Sequence, residues 1–258
     1  MLIVFDIETI PDLEGGRKLY GLDEIDAKET AKAMLATRRT KVPDSDFLPL
    51  HQHRVVAISV AARWSKDQFG VRSLGDLDSE EKQVIEKFFA IVEKAPTLIS
   101  WNGTGFDLPV LQYRGLVHSI PSVTYWDTGE YNNEFKWNNY QSRYHKRHID
   151  LMDTLSRFQP RAFAPLDEIC KLIGLPGKIG VGGDKVFDSY LDGKLQEIRD
   201  YCEIDALSTY LVYLRFELIR GNYTLQRYEN ELQLVRKWLT DSKQNHFQKF
   251  LIAWESQD

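Results

Sequence analysis

Asp6 and Glu8 stand two positions apart at the end of an apolar run, Leu2-Ile3-Val4-Phe5, and Pro11 closes the stretch. A short continuous run of β-favouring residues is the pattern of a central strand covered on both faces. Side chains alternate along a strand, so both acids project to one side and Ile7 to the other. Two ionised carboxylates that close repel each other and resist desolvation, and a cation or a shared proton relieves that. A hard divalent ion with oxygen ligands would do so. A strand end that simply opens to solvent would also do so, and the pair by itself leaves both readings open.

Two later stretches carry further candidates. Asn102-Gly103-Thr104-Gly105-Phe106-Asp107 follows an apolar strand that ends at Trp101, and Asp107 falls where a helix N-cap is expected. Turn and cap roles account for these residues; so does a loop that lets a substrate backbone approach while Asp107 holds a metal through water. In Arg199-Asp200-Tyr201-Cys202-Glu203-Ile204-Asp205, Tyr201 and Asp205 are four apart and share one helix face. A partly buried Asp205 needs a partner, whereas an exposed one needs none.

In this order and local context, Phe5-Asp6-Ile7-Glu8-Thr9, Asn102 to Asp107 with Leu108-Pro109, and Tyr201 to Asp205 resemble the three motifs of the DEDD superfamily of 3′-5′ exonucleases. The likeness is to the branch with a tyrosine in the third motif, and within it to the proofreading exonuclease domain of family B DNA polymerases and stand-alone bacterial proteins related to that domain. The sister branch would place a histidine five residues before Asp205, where this chain has Asp200. His148-Ile149-Asp150-Leu151 and Leu172 to Lys178 are also similar to connecting segments of that family, so the likeness runs roughly from Leu2 to Arg215.

The resemblance implies an α/β fold: a ribonuclease H-like mixed β-sheet flanked by helices, with a helical C-terminal extension. It implies hydrolysis of single-stranded nucleic acid from the 3′ end, DNA favoured over RNA, with release of nucleoside 5′-monophosphates. The cofactors would be two divalent ions, Mg²⁺ or Mn²⁺, about 4 Å apart. By similarity Asp6 would bridge both ions, Glu8 and Asp205 would complete the site of the nucleophilic water, and Asp107 would reach the second ion through water. Tyr201 would orient that water, since a phenol of pKa near 10 is a poor base at neutral pH. Asn102, Phe106 and Thr9 would contact the substrate.

The elements that must position these residues follow from periodicity. The polar segment from about 12 to 51 reads as an insertion with a helix over Leu22 to Arg39 and a loop from Lys41 to Pro49. Arg54 to Trp64 and Phe69 to Leu74 read as a hairpin that pairs with the first strand. Ser79 and Glu81 open a helix whose apolar residues run from Val84 to Val92; Pro96 stops it, and Thr97 to Trp101 is another core strand. A helix is expected from Asp107 to about Tyr113. From Ile149 on the chain reads as largely helical, with a glycine-rich connection (Gly174, Gly177, Gly180, Gly182, Gly183) before a long helix from Gly193 to Arg220. That connection lacks the lysine-serine ending of a nucleotide cradle. Residues 1–221 are expected to form the exonuclease domain, and 222–258 a helical extension packed on it.

Between Tyr131 and His148 the aromatics Tyr131, Phe135, Trp137, Tyr140 and Tyr144 alternate with Lys136, Arg143, Lys146 and Arg147. Such a mixture suits stacking of bases and neutralisation of phosphates, which makes Trp137 and Arg143 candidate substrate contacts. Packing of a long loop onto the core accounts for it equally. Asp150 and Asp153 could cap the next helix or support the metal site, and capping is the expectation.

The chain has 258 residues, 43% of them hydrophobic, enough to bury a sizeable core. Its apolar runs fall short of a membrane span, and two cysteines, Cys170 and Cys202, are too few for a disulfide framework or zinc cluster. Five of the six histidines, His51, His53, His118, His145 and His148, show no zinc spacing with them. These features point to a soluble protein in the cytoplasm. The net charge of −5 argues against non-specific coating of nucleic acid but not against a locally bound single strand. No polymerase sequence is present, so proofreading would need a separate polymerase, and a repair partner is equally compatible. Two rivals remain: a dehalogenase-type phosphatase, which normally has a second aspartate where this chain has Glu8, and a nucleic-acid-binding module that has lost activity.

Overall fold

In the computed structural model, which describes residues 1–22, 25–45, 47–65, 67–177 and 182–256, the chain is built around its first strand. Strand β1 (Leu2–Pro11) is buried on both faces, and its alternation sorts its side chains. Ile3, Phe5 and Ile7 enter one hydrophobic cluster, while Val4 and Ile10 enter clusters on the opposite face. Asp6 and Glu8 share the face of Val4 and Ile10, as the period of two requires.

Strands β2 (His53–Ser65) and β3 (Gln68–Ser73) add antiparallel on one side of β1; β4 (Thr97–Ser100) and β5 (His148–Asp150) add parallel on the other. The order β3-β2-β1-β4-β5 is the ribonuclease H-like mixed sheet. The hairpin and the core strand before Trp101 form as expected. Strand β5 was not anticipated: three residues are too short to show a period, and pairing with β4 makes them a strand.

Helices cover both faces. On the Ile3 and Phe5 side, α3 (Glu81–Val92) and α4 (Asp107–His118) bury Ile85, Phe88, Val110 and Leu111. Helix α4 runs one turn and more past the expected end at Tyr113. The insertion carries two helices, α1 (Leu13–Tyr20) and α2 (Ala27–Lys41), rather than one over Leu22 to Arg39. Each starts at an aspartate cap, Asp12 and Asp26, and Gly21 ends α1 in the left-handed conformation.

Short helices α5 (Val123–Trp126), α6 (Leu151–Leu155), α7 (Leu166–Leu172) and α8 (Val186–Leu191) link the layers. Lys178 and Gly180 of the glycine-rich connection lie outside the described residues. The long helix α9 (Leu195–Ile219) crosses the Val4 face, with Ile204, Leu207 and Leu211 against the sheet. Outside it pack α10 (Leu225–Asp241) and α11 (Asn245–Glu255), the helical C-terminal region. Phe247, Phe250 and Trp254 of α11 are almost fully buried. At about 1.5–3 kcal/mol for each such side chain, α11 is firmly seated. No helix among the described residues is long and apolar enough to cross a membrane.

Candidate metal centre

Alternation on β1 and the i, i+4 spacing on α9 bring the first and third motifs together. Asp6, Glu8 and Asp205 each offer an oxygen, and the three oxygens lie within 4.8 Å of one another. A β-bulge between Glu8 and Thr9, where β1 pairs Glu8 with Ala57 and then Thr9 with Val55, shifts the register just after the second acid. Oδ2 of Asp6 is buried and accepts no hydrogen bond among the described residues. Burial, then the charges of Asp107, Asp205 and Glu8, raise its pKa well above the carboxylate range. A set of hard oxygen donors with an orphaned buried oxygen fits a divalent cation.

Asp107 stands just outside the trio. Burial chiefly, with Asp150 and Asp205 adding to it, pushes its pKa up to about 7, against hydrogen bonds from its own N–H and that of Ile7. It does not cap α4. Phe106 is the N-cap residue and Asp107 the first residue of the helix, with its carboxyl held by its own N–H and that of Ile7 on β1.

The loop before it is tightly specified. Asn102 adopts a left-handed φ of 66°, and its carbonyl accepts from the N–H groups of Gly105 (3.0 Å) and Phe106 (2.9 Å). A Cβ at Gly103 would collide with the side chain of Ser100, which makes this glycine obligatory. Asp150 anchors the loop from β5. It accepts from Asn102 N (3.0 Å) and Thr104 N (2.9 Å) while capping α6 through Asp153 N. Asp153 does not cap with its side chain; its carboxylate binds Arg143 at 2.6 Å. Ser100 Oγ lies 2.8 Å from His148 Nε2, and burial pushes that histidine's pKa down to about 4, so the imidazole is neutral.

Tyr201 is buried, and its hydroxyl is hydrogen-bonded to Asp205. Burial and the charges of Asp205, Glu8 and Asp6 drive its pKa far above that of free tyrosine. Cys202, next to it, is fully buried and donates its thiol to the Asp6 carbonyl at 3.3 Å, a core role.

Phe106 packs against His53 (5.3 Å between centroids) and Phe47 (5.6 Å). Thr9 Oγ1 meets His53 Nδ1 at 2.9 Å, and Nε2 lies 3.1 Å from the Leu48 carbonyl. A carbonyl only accepts, so Nε2 carries the proton and Nδ1 of the neutral ring accepts from Thr9. Sequence reasoning missed His53 and Phe47. The available signal was their place at the junction of the insertion and the second strand, which no periodicity marks.

The aromatic-basic stretch divides. Phe135 and Tyr140 are buried in the core, as packing required. Tyr131, Trp137 and Tyr144 are exposed, and Lys136 lies over Trp137 at 5.4 Å. Arg143 connects to the loop of Asn102 through Asp153 and Asp150.

The family described as a predicted 3′-5′ exonuclease related to the exonuclease domain of PolB matches residues 45–254. The match takes in Asn102 to Asp107 and Tyr201 to Asp205, and it begins downstream of Asp6 and Glu8. No curated protein matches the chain. Among solved structures, the family B DNA polymerase from the hyperthermophilic archaeon Pyrobaculum calidifontis is similar at 18% identity and a TM-score of 0.47, over 81% of this chain. The chain spans 23% of that polymerase.

Proposed function

The chain belongs to the family of predicted 3′-5′ exonucleases related to the PolB exonuclease domain, and on that premise we propose that it removes nucleoside 5′-monophosphates from the 3′ end of single-stranded nucleic acid with two divalent ions, Mg²⁺ or Mn²⁺. The observation that carries this reading is the convergence of Asp6, Glu8 and Asp205, with Asp6 Oδ2 buried and without a hydrogen bond. These three would hold one ion, and Asp6 with Asp107, through water, the second. Bound there, the ions would stabilise the attacking and the leaving oxygen of an in-line displacement at phosphorus.

The protein groups have distinct tasks. Tyr201 gives its proton to Asp205 in a hydrogen bond and keeps it at neutral pH, which makes it an orienter and not a base. Its oxygen lone pairs are left to accept from the attacking water. A bond forms between that water's oxygen and phosphorus as one of its protons passes to solvent, the bond to the 3′ oxygen breaks, and that oxygen takes a proton from solvent to become the new 3′-hydroxyl. Phe106, backed by His53 and Phe47, offers an apolar wall to the terminal nucleotide; Asn102 and Thr9 offer polar contacts beside it. Kinship with a DNA polymerase domain favours DNA. Trp137, exposed beside Lys136, would stack on the incoming strand, and Trp137→Ala is expected to lower single-strand affinity by about 1–3 kcal/mol. Arg143, tied to Asp153, has the smaller share.

The test uses 5′-labelled single-stranded DNA and RNA of one sequence with Mg²⁺, Mn²⁺ or chelator. A ladder that shortens from the 3′ end, needs metal and vanishes in Asp6→Ala is the expected result. No cleavage by the folded native protein under any metal would leave a binding module on the same fold.

A further inference from the structure

We propose that the C-terminal helix α11 sets the geometry of the acid cluster through a buried hydrogen-bond relay, His246 to Glu203 to Ser73 to Ser59, which makes these four positioning residues. The register of the sheet pairs Asp6 with Ser59 and Ser59 with Ser73, so the three side chains form one row on the face beneath α9. Ser59 Oγ and Ser73 Oγ are 2.9 Å apart. Ser73 donates to Glu203 Oε1 from both its N–H (2.7 Å) and its hydroxyl (2.9 Å). His246 Nε2, from α11, lies 2.8 Å from Glu203 Oε2. Its Nδ1 faces Asp200 Oδ1 at 3.4 Å, and Gln196 donates to that same oxygen at 2.7 Å.

The chain has a direction. A carboxylate only accepts, so Ser73 uses its proton on Glu203 and must accept from Ser59, and His246 must donate from Nε2. Ser59 and Glu203 are 0% and 4% exposed, so each missing partner would leave a buried polar group unsatisfied.

The geometric consequence lies in α9. Glu203 seats that helix on β3, and Cys202, one residue before, ties it to the Asp6 carbonyl on β1. Two neighbouring anchors on different strands fix the roll of the helix about its axis. Tyr201 and Asp205 are carried by the same turns, so the roll decides where they point relative to Asp6 and Glu8. Closing the second oxygen of Glu203 is the part that falls to α11. The role of the C-terminal helices, open from the sequence, becomes that of a lock on the third motif. Because the relay reaches Asp205 through the helix backbone, its loss is expected at the lower end of the 10–100-fold change that direct partners of metal-holding side chains cause.

The proposal rests on the metal-centre reading, and calorimetric titration of the metal-free protein with Mn²⁺ tests it without requiring turnover. Ser73→Ala and His246→Phe are each expected to weaken Mn²⁺ binding about 10-fold and to lower kcat by a similar factor, with KM for a single strand unchanged. Ser73→Thr restores both. If His246→Phe fails to fold, Ser73→Ala decides. Mn²⁺ affinity and kcat within twofold of native, whatever the change in Tm, would overturn the relay, as would absence of Mn²⁺ binding by the native chain. Native protein that binds Mn²⁺ but cuts no strand would sink the exonuclease reading and leave the affinity comparison to judge the relay.

Discussion

Two groups of acids flank the outer half of β1, and they solve the same electrostatic problem in opposite ways. Asp12, just past Pro11, and Glu81, at the start of α3, converge on Arg114 of α4. The guanidinium binds Glu81 through two hydrogen bonds of 2.8 and 2.6 Å and Asp12 through one of 2.6 Å. His118 adds a contact to Glu81 at 2.7 Å, and Glu81 also accepts from Val55 N. Burial pulls the Arg114 pKa down, but its two carboxylates outweigh that and leave it raised. This group is complete within the chain and pins α3, α4 and β2 together.

At Asp6 the reverse holds. The charges that act on its carboxyl are those of Asp107, Asp205 and Glu8, all negative, and with burial they raise its pKa. A cluster kept acidic at that cost is one that takes its cation from outside. The difference separates a structural ion network from a binding site, and in the sequence only the second was marked, by the spacing of its acids.

Perturbing each group should expose the contrast. Asp6→Asn is expected to lower exonuclease kcat on the order of 10³-fold, because it weakens the hold on the ions that would stabilise the developing charge; activity within tenfold of native would remove Asp6 from the centre. Arg114→Leu takes the guanidinium from two buried carboxylates and should cost about 3–5 kcal/mol in denaturant unfolding, with kcat of the folded protein unchanged. Equal damage to kcat and stability would join the two groups into one unit. Tyr201→Phe removes the oriented hydroxyl but no charge, and a loss of about 10–100-fold in kcat is expected with Mn²⁺ affinity kept. A pH profile that shifts with that substitution would instead make the phenol a base.

The smallest effect is a pH dependence. Asp107 holds its proton up to about pH 7 in the folded chain, while an unfolded aspartate loses it near 3.9. The folded state therefore binds more protons between those values, and the stability it draws from this group is full below about pH 4 and lost as pH rises to about 7. Metal-free protein should melt lower at pH 7 than at pH 5. The rise in Tm on adding Mn²⁺ should grow over the same window, since the metal competes with protons.

Much of this arrangement was legible because alternation is unforgiving. Once Leu2 to Phe5 form a buried strand, Asp6 and Glu8 must face one side, and Tyr201 and Asp205 must share one side of a long helix. What periodicity could not show were contacts that cross elements. Asp107 read as a cap because an acid before an apolar run usually is one; the backbone turn at Asn102 moved the cap to Phe106. Asp153 likewise read as a cap, and its partner Arg143 is ten residues away in a stretch with no period. Arg114 and His246 gave no signal at all, since an arginine or histidine on a helix is known as a partner only when the opposing element is in place.

The Asp6 cluster, on this reading, is destabilised without a cation and completed by one. Thermal unfolding of native protein and Asp6→Asn at about pH 7.5, in chelator and in Mn²⁺, tests this most directly. In chelator the variant should melt higher than native, because a carboxyl whose ionisation burial and three neighbouring acids oppose has gone; in Mn²⁺ native should gain in Tm and the variant should not. A variant that melts lower in chelator, or two proteins that respond to Mn²⁺ alike, would contradict it.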